Sequence, residues 1–221
     1  MFGSVMSSSY PLSHQISIAF SELEDRLVIR SQNTNGQMVW LLLTRRMTLV
    51  LLKQLLEQLH RISHLEQTPA QYWLETLQMD HSQAMQAKRE TDEKALAYSG
   101  PLPAKSTLNP SQKPPQDPAK AATPSATSGQ RQLFLASHLQ LEKYPKYVLL
   151  AFKGLAMPQA MVTPSRHVPV FALRLDRDHL HQLIRLLIAK AQEAHWHLPV
   201  EIPWLKAPEA QETSLALQLL H

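Results

Sequence analysis

Two stretches of the chain, LLLTRRMTLVLLKQLLEQL and ALRLDRDHLHQLIRLLIAKA, share one order of parts. Each runs from the apolar end of a strand to a capping residue, Thr44 or Asp176, then to Arg45 or Arg177, and then into a leucine-rich helix. An oxygen on the capping side chain can accept from amides that the first helical turn leaves unpaired. In the first stretch Leu49, Leu52, Leu56 and Leu59 recur at spacings of 3, 4 and 3, and Leu51 and Leu55 widen the stripe. Leu180, Leu183, Leu187 and Ala191 repeat it in the second. A helix with one broad apolar face needs a layer to bury it against.

The segments upstream of each helix supply that layer. QISIAF, residues 15 to 20, alternates apolar side chains, and RLVIRS, residues 26 to 31, sets Leu27 and Ile29 on one face against Arg26 and Arg30 on the other. Asn35-Gly36 offers the positive φ values of a tight hairpin turn. MVWLLL follows, with Met38, Trp40 and Leu42 on one face and Val39, Leu41 and Leu43 on the other, so this strand should be central in its sheet or covered on both sides. QLFLASHLQLEKY, KYVLLAFKG and HVPVFALRL give three strands again, with a longer connection over 154 to 166 in place of the tight turn.

The pattern predicts an α+β fold with internal duplication of a βββα unit, antiparallel strands then an amphipathic helix, and two units packed about a pseudo-twofold axis. The expected divisions are a flexible N-terminus (1–12), a first unit (13–68), a mostly polar helix (69–98), a disordered Pro/Ala/Ser-rich linker (99–130), a second unit (131–198) and a C-terminal tail (199–221). The linker assignment follows from composition, since that stretch has almost no large apolar residue with which to offset the entropy of ordering.

Composition removes several chemistries. There is no Cys, hence no disulfide framework, thiolate zinc site, iron-sulfur cluster or cysteine nucleophile. Met1 to His14 has no positive cluster leading an apolar run, and the most apolar stretch, Met47 to Leu59, is interrupted by Lys53, Gln54, Glu57 and Gln58. A cytoplasmic protein without a membrane span is therefore expected. The net charge of +4 is spread thinly: residues 13 to 98 hold 9 Lys and Arg against 10 Asp and Glu, and 131 to 221 hold 10 against 7. No consecutive basic block marks a strong phosphate stripe.

The 11 His residues raise a metal question. His60 and His64 stand four apart, but the glutamate that an HExxH helix needs after the first His is replaced by Arg61. His179 and His181 point about 200° apart on a helix, so they cannot chelate together; His195 and His197 are a further close pair. Asp176 and Asp178 suit a helix first turn, and Glu22, Glu24 and Asp25 suit a polar turn. With no nucleophile elbow, phosphate loop or dinucleotide fingerprint, no catalytic residue, metal site or cofactor is predicted, and the chain is expected not to be an enzyme.

Two surfaces remain. Tyr72, Trp73 and Leu77 on the polar helix, and Leu215, Leu217 and Leu219 in the terminal SLALQLL, have the character of protein-interface anchors or, equally, of segments that fold back onto their own domain. They point to a non-enzymatic interaction, assembly or scaffold protein that binds a protein partner or self-associates as an oligomer. The alternative is a single-stranded nucleic-acid-binding sheet, in which Arg26, Arg30, Lys146, Lys153 and Arg174 interleave with Trp40, Tyr147 and Phe152 to track phosphates and stack bases. RLVIRSQNTNGQMVWLLLT with its Leu49 to Leu59 helix, and YVLLAFKG and VPVFALRLD with the Leu180 to Leu187 helix, resemble at the level of topology the tandem sheet-plus-helix arrangement of PUR-repeat and Whirly proteins. That resemblance covers about half the chain and implies single-strand binding.

Overall fold

In chain order the elements are β1 (Leu12–Ser21), β2 (Arg26–Asn33), β3 (Met38–Leu43), α1 (Arg45–Ile62), α2 (Trp73–Tyr98), β4 (Gln132–Lys143), β5 (Val148–Ala156), β6 (Val168–Leu175) and α3 (Arg177–Glu193). The computed structural model describes residues 10–33, 37–98, 132–163 and 165–205. The Asn35-Gly36 turn, the 99–130 linker, Leu215, Leu217, Leu219 and most of the N-terminal segment lie outside the described residues.

Both predicted caps form. The Thr44 hydroxyl accepts from the Met47 amide at 3.2 Å, and Asp176 Oδ1 accepts from the His179 amide at 2.9 Å. Each satisfies a donor that helix geometry leaves without an intrahelical partner. β2 and β3 pair antiparallel from Leu27↔Leu43 to Gln32↔Met38, so the hairpin expected around Asn35-Gly36 is present. β1 begins earlier than the alternation of QISIAF indicated, because the register shifts between Ser13 and Ile16 and breaks the period-2 pattern there.

The six strands form one curled sheet in sequential order that closes on itself as a barrel. Within each half the pairing is antiparallel. Two parallel joints connect the halves: β3 with β4, from Val39↔Gln132 to Leu42↔Leu135, and β1 with β6, at Leu12↔Ala172 and Ser13↔Leu173. A parallel neighbour cannot be reached through a tight turn. α1 and α2 both lie in the connection from β3 to β4.

Leu27, Ile29, Val39, Leu41, Leu43, Val148, Leu150, Leu173 and Leu175 point inward and share one buried cluster with the stripes of α1 and α3. In α1 that stripe is Leu51, Leu52, Leu55, Leu59 and Ile62; in α3 it is Leu180, Leu183, Ile184, Leu187 and Ala191. The two halves therefore share one core. Trp196 closes it, with its indole N–H donating to Asp25 Oδ1 at 2.6 Å and its ring edge-on to Phe20. On the outer face Tyr10 and Pro11 lie over β5 and β6. There Tyr10 packs with Leu149, Ala151 and Ala172, its hydroxyl donates to Gln140 Oε1, and the Pro11 carbonyl accepts from the Ala172 amide.

The double coverage expected for MVWLLL holds in part: Val39, Leu41 and Leu43 are core, Leu42 is buried from the other side, and Met38 is exposed. Phe152 requires a correction. Expected on an outer base-stacking face, it is 0% exposed and packs against Phe171 with ring centroids 5.3 Å apart. The alternation of KYVLLAFKG has two apolar phases, and pairing with Leu139 and Phe171 selects the one that turns Phe152 inward.

Candidate functional site

α2 joins the body through one side only. Its inward residues, Trp73, Leu77, Asp80, His81, Ala84 and Met85, recur at helical spacing and are buried or half-buried, whereas Gln86 to Lys94 are exposed on every side. Two of the predicted interface anchors are engaged within the chain. Trp73 donates from its indole N–H to the Thr68 carbonyl at 2.7 Å and meets the His60 ring edge-on, and Leu77 packs on the core. Tyr72 remains exposed.

Where α2 crosses α3, Arg177 Nη1 donates to Asp80 Oδ1 at 3.0 Å, Gln182 donates to the Ala84 carbonyl and Arg185 reaches the Met85 sulfur. Beside these contacts His81, His181 and Trp204 form a ring cluster with centroid separations of 5.5, 5.2 and 5.0 Å. Trp204 comes from a 3-10 turn, Pro203–Leu205. His181 is wholly buried, and neither of its ring nitrogens has a protein partner. Burial pushes its pKa down to about 4, helped by the neighbouring His81 and Arg177; burial and then Arg185 lower that of His81.

His179 and His181 do diverge as their spacing required: His179 faces solvent, where Nδ1 lies 2.7 Å from Asp176 Oδ1, and His181 faces the core. His81, Asp80 and Trp204 carried no local signal. An intermittent apolar stripe through Trp73, Leu77 and Ala84 was the hint that α2 packs.

A second arrangement occupies the sheet. Arg30 and Trp40 are cross-strand partners, with the guanidinium 4.9 Å from the indole centroid. Arg174 lies 4.2 Å over Tyr147, which stacks on Tyr144 at 4.4 Å with 12° between ring planes. Arg61 donates to the Tyr144 carbonyl, the Tyr144 hydroxyl donates to Glu142, and Arg61, His64, Glu66, Lys143 and Tyr144 line an open cavity of about 410 Å³. Of the predicted nucleic-acid residues the fold thus brings Arg174 and Tyr147 together, with exposed Lys146 on the same turn. Arg30 and Trp40 form a separate pair, half-buried Arg26 stands on β2, and Phe152 is withdrawn into the core. Tyr144 and Arg61 were missed, although the KYPKY spacing of Tyr144 and Tyr147 could have been read as an aromatic turn.

Lys153 pairs with His138 at an irregularity in β4, where Ser137 Oγ lies 2.7 Å from His167 Nδ1 and 3.2 Å from His138 Nδ1. A serine within reach of an imidazole is the start of a nucleophile-base pair, but among the described residues no carboxylate reaches either ring to orient it, and both rings are exposed. Among the described residues no group of three or more His, Asp or Glu could hold a metal ion, and no helix is long and apolar enough to cross a membrane.

No protein-family model matches the chain, and no curated protein and no solved structure matches it either.

Proposed function

We propose that the chain is a non-enzymatic protein-interaction or assembly module that engages its partner through α2. The observation that carries this is the exposed apolar surface at the start of that helix. Tyr72, in the 3-10 turn that leads into α2, and Met79 are 49% and 56% exposed on one flank, while the inward stripe of α2 is already committed to α3 and the core. Beyond Met85 the helix runs on to Tyr98 with no side packed through Lys94, which makes it a projecting arm. A polar helix standing clear of its own core is suited to bridge to another body. Internal duplication belongs to the same proposal. Its support is that each half has three antiparallel strands and a capped helix, and that the halves meet at two parallel joints.

Tyr72→Ser with Met79→Ser, seven positions or about two turns apart, tests the proposal without touching the core. Loss of two interface anchors is expected to weaken self-association, or capture of a partner protein, by about 30-fold or more, the equivalent of ~2 kcal/mol. Sedimentation velocity of the purified chain, and cross-linking in the source cells for a different partner, give the readout. An assembly state and cross-link pattern identical in wild type and variant would defeat it.

A single-strand nucleic-acid role draws support from one arrangement, the Arg174–Tyr147–Tyr144 stack beside Arg61, Lys143 and Lys146. It accords with the sheet-plus-helix likeness to PUR-repeat and Whirly proteins. If the stack seats a strand, Lys143→Ala with Lys146→Ala should weaken oligonucleotide binding uniformly across sequences and reduce the salt slope by about 0.7 per lost phosphate contact. Wild-type chain that binds no single-stranded oligonucleotide at physiological salt would end this role.

A further inference from the structure

We propose that α2 is clamped to the body of the protein by the neutral imidazoles of His81 and His181, and that protonating them releases it. Three elements meet at this point: α2 brings Asp80 and His81, α3 brings Arg177, Asp178, His181 and Arg185, and the Pro203–Leu205 turn brings the indole of Trp204 and no charged side chain. The pair is packed as an apolar group. His181 is 0% exposed with both nitrogens unpartnered in the protein, and His81 Nδ1 is buried without a partner.

An imidazolium has two N–H donors and a charge, and no partner lies within hydrogen-bond reach of either ring nitrogen of His181 or of His81 Nδ1. Asp80, the buried acid nearest in sequence to His81, is held by Arg177 through Oδ1, and its Oδ2 makes no hydrogen bond to either ring. Asp178 Oδ1 lies 3.7 Å from Arg177 Nε, beyond hydrogen-bond distance, and makes no hydrogen bond to either ring. Beyond burial, Arg177 beside His181 and Arg185 beside His81 each disfavour a positive charge on that ring. When α2 lifts away, the rings regain water and ordinary basicity.

The direction follows from linkage. Protons bind the released state more strongly than the clamped one, so docking is at full strength above pH 6.5 and is lost as pH falls from there toward about 4, the value to which the buried His181 is lowered. Between roughly pH 7.5 and 4.5 the docking equilibrium should shift by about a hundredfold for His181 alone, and further with His81.

Hydrogen exchange on the full chain reads this directly and needs no partner, so its failure and that of the interaction role are separable. At roughly pH 4.5 the wild type should lose protection across Trp73 to Met85 while α1 and α3 keep theirs; His181→Phe, which fills the same site without titrating, should hold α2 protected at that pH. Equal acid loss in wild type and variant, or unchanged α2 protection in the wild type, overturns the proposal. Should the Phe ring fail to dock at neutral pH, an NMR titration of His181 in the wild type decides instead: a value near 4 supports the clamp, and one near 6.5 sinks it.

Discussion

Phe152→Ala lowers the stability of the folded chain by about 3–5 kcal/mol, the cost of removing a fully buried aromatic ring and leaving a cavity that its neighbours fill only in part. The ring faces Phe171 on β6 and Leu139 on β4, so three strands lose a common contact at once. Stable domains carry roughly 5–15 kcal/mol in total, and such a loss takes a large share of it. Urea denaturation followed by circular dichroism would show the midpoint falling with little change in slope. The same variant separates the two views of this residue. A base-stacking Phe152 on an open face would lose binding while keeping stability, and a stability loss below about 1 kcal/mol would therefore contradict its place in the core.

Gly154→Val destabilises the sheet by about 1–3 kcal/mol through overpacking, and more where the backbone has to shift. A Cβ at this position would stand 3.0 Å from Phe134 Cβ, 3.0 Å from Val170 Cγ2 and 3.1 Å from the Leu135 carbonyl oxygen, before the two extra methyls of valine are placed. Gly154 faces Ala136 on β4 and Val168 on β6, beside the irregularities at Ala136/His138 and Phe152/Lys153. The residue is needed for close approach between strands, which is a separate matter from turn flexibility. Gly154→Ala should cost less than Gly154→Val in the same melt; a valine variant that melts with wild type would mean the strands do not approach this closely.

α1 and α3 were legible in sequence almost to the residue. A cap, a leucine stripe and a stop are local, because one helical turn decides which amides are orphaned and which side chains share a face. Thr44 and Asp176 cap where they were expected to, and α1 occupies the whole of RRMTLVLLKQLLEQLHRI. The strands were legible as strands, with their ends less well placed where a bulge interrupts alternation, as at Ser13.

Less of the candidate sites could be read. Tyr147 and Arg174 were picked out as separate basic and aromatic residues, and β5–β6 pairing sets them beside each other. Trp73 stood out as an exposed aromatic on a polar helix, yet the turn after α1 carries the chain back so that His60 and Thr68 receive it. The most buried titratable side chain, His181, was read only as one of a close pair with His179 and never as core, since it sits within a leucine stripe that tolerates an imidazole only if other elements cover it.

Sequence alone determined what forms within a few residues: six strand segments, the caps, the helical faces and the hairpin between β2 and β3. Tertiary structure alone decided which of two apolar phases faces inward at Phe152, the parallel joints of β3 with β4 and β1 with β6, and the meeting of His81, His181 and Trp204. The physical reason is range. Backbone periodicity and capping act over one turn or one hairpin, whereas burial depends on which surfaces the closed sheet brings together, and residues 100 or more apart in the chain, such as His81 and His181, become neighbours only once it has closed.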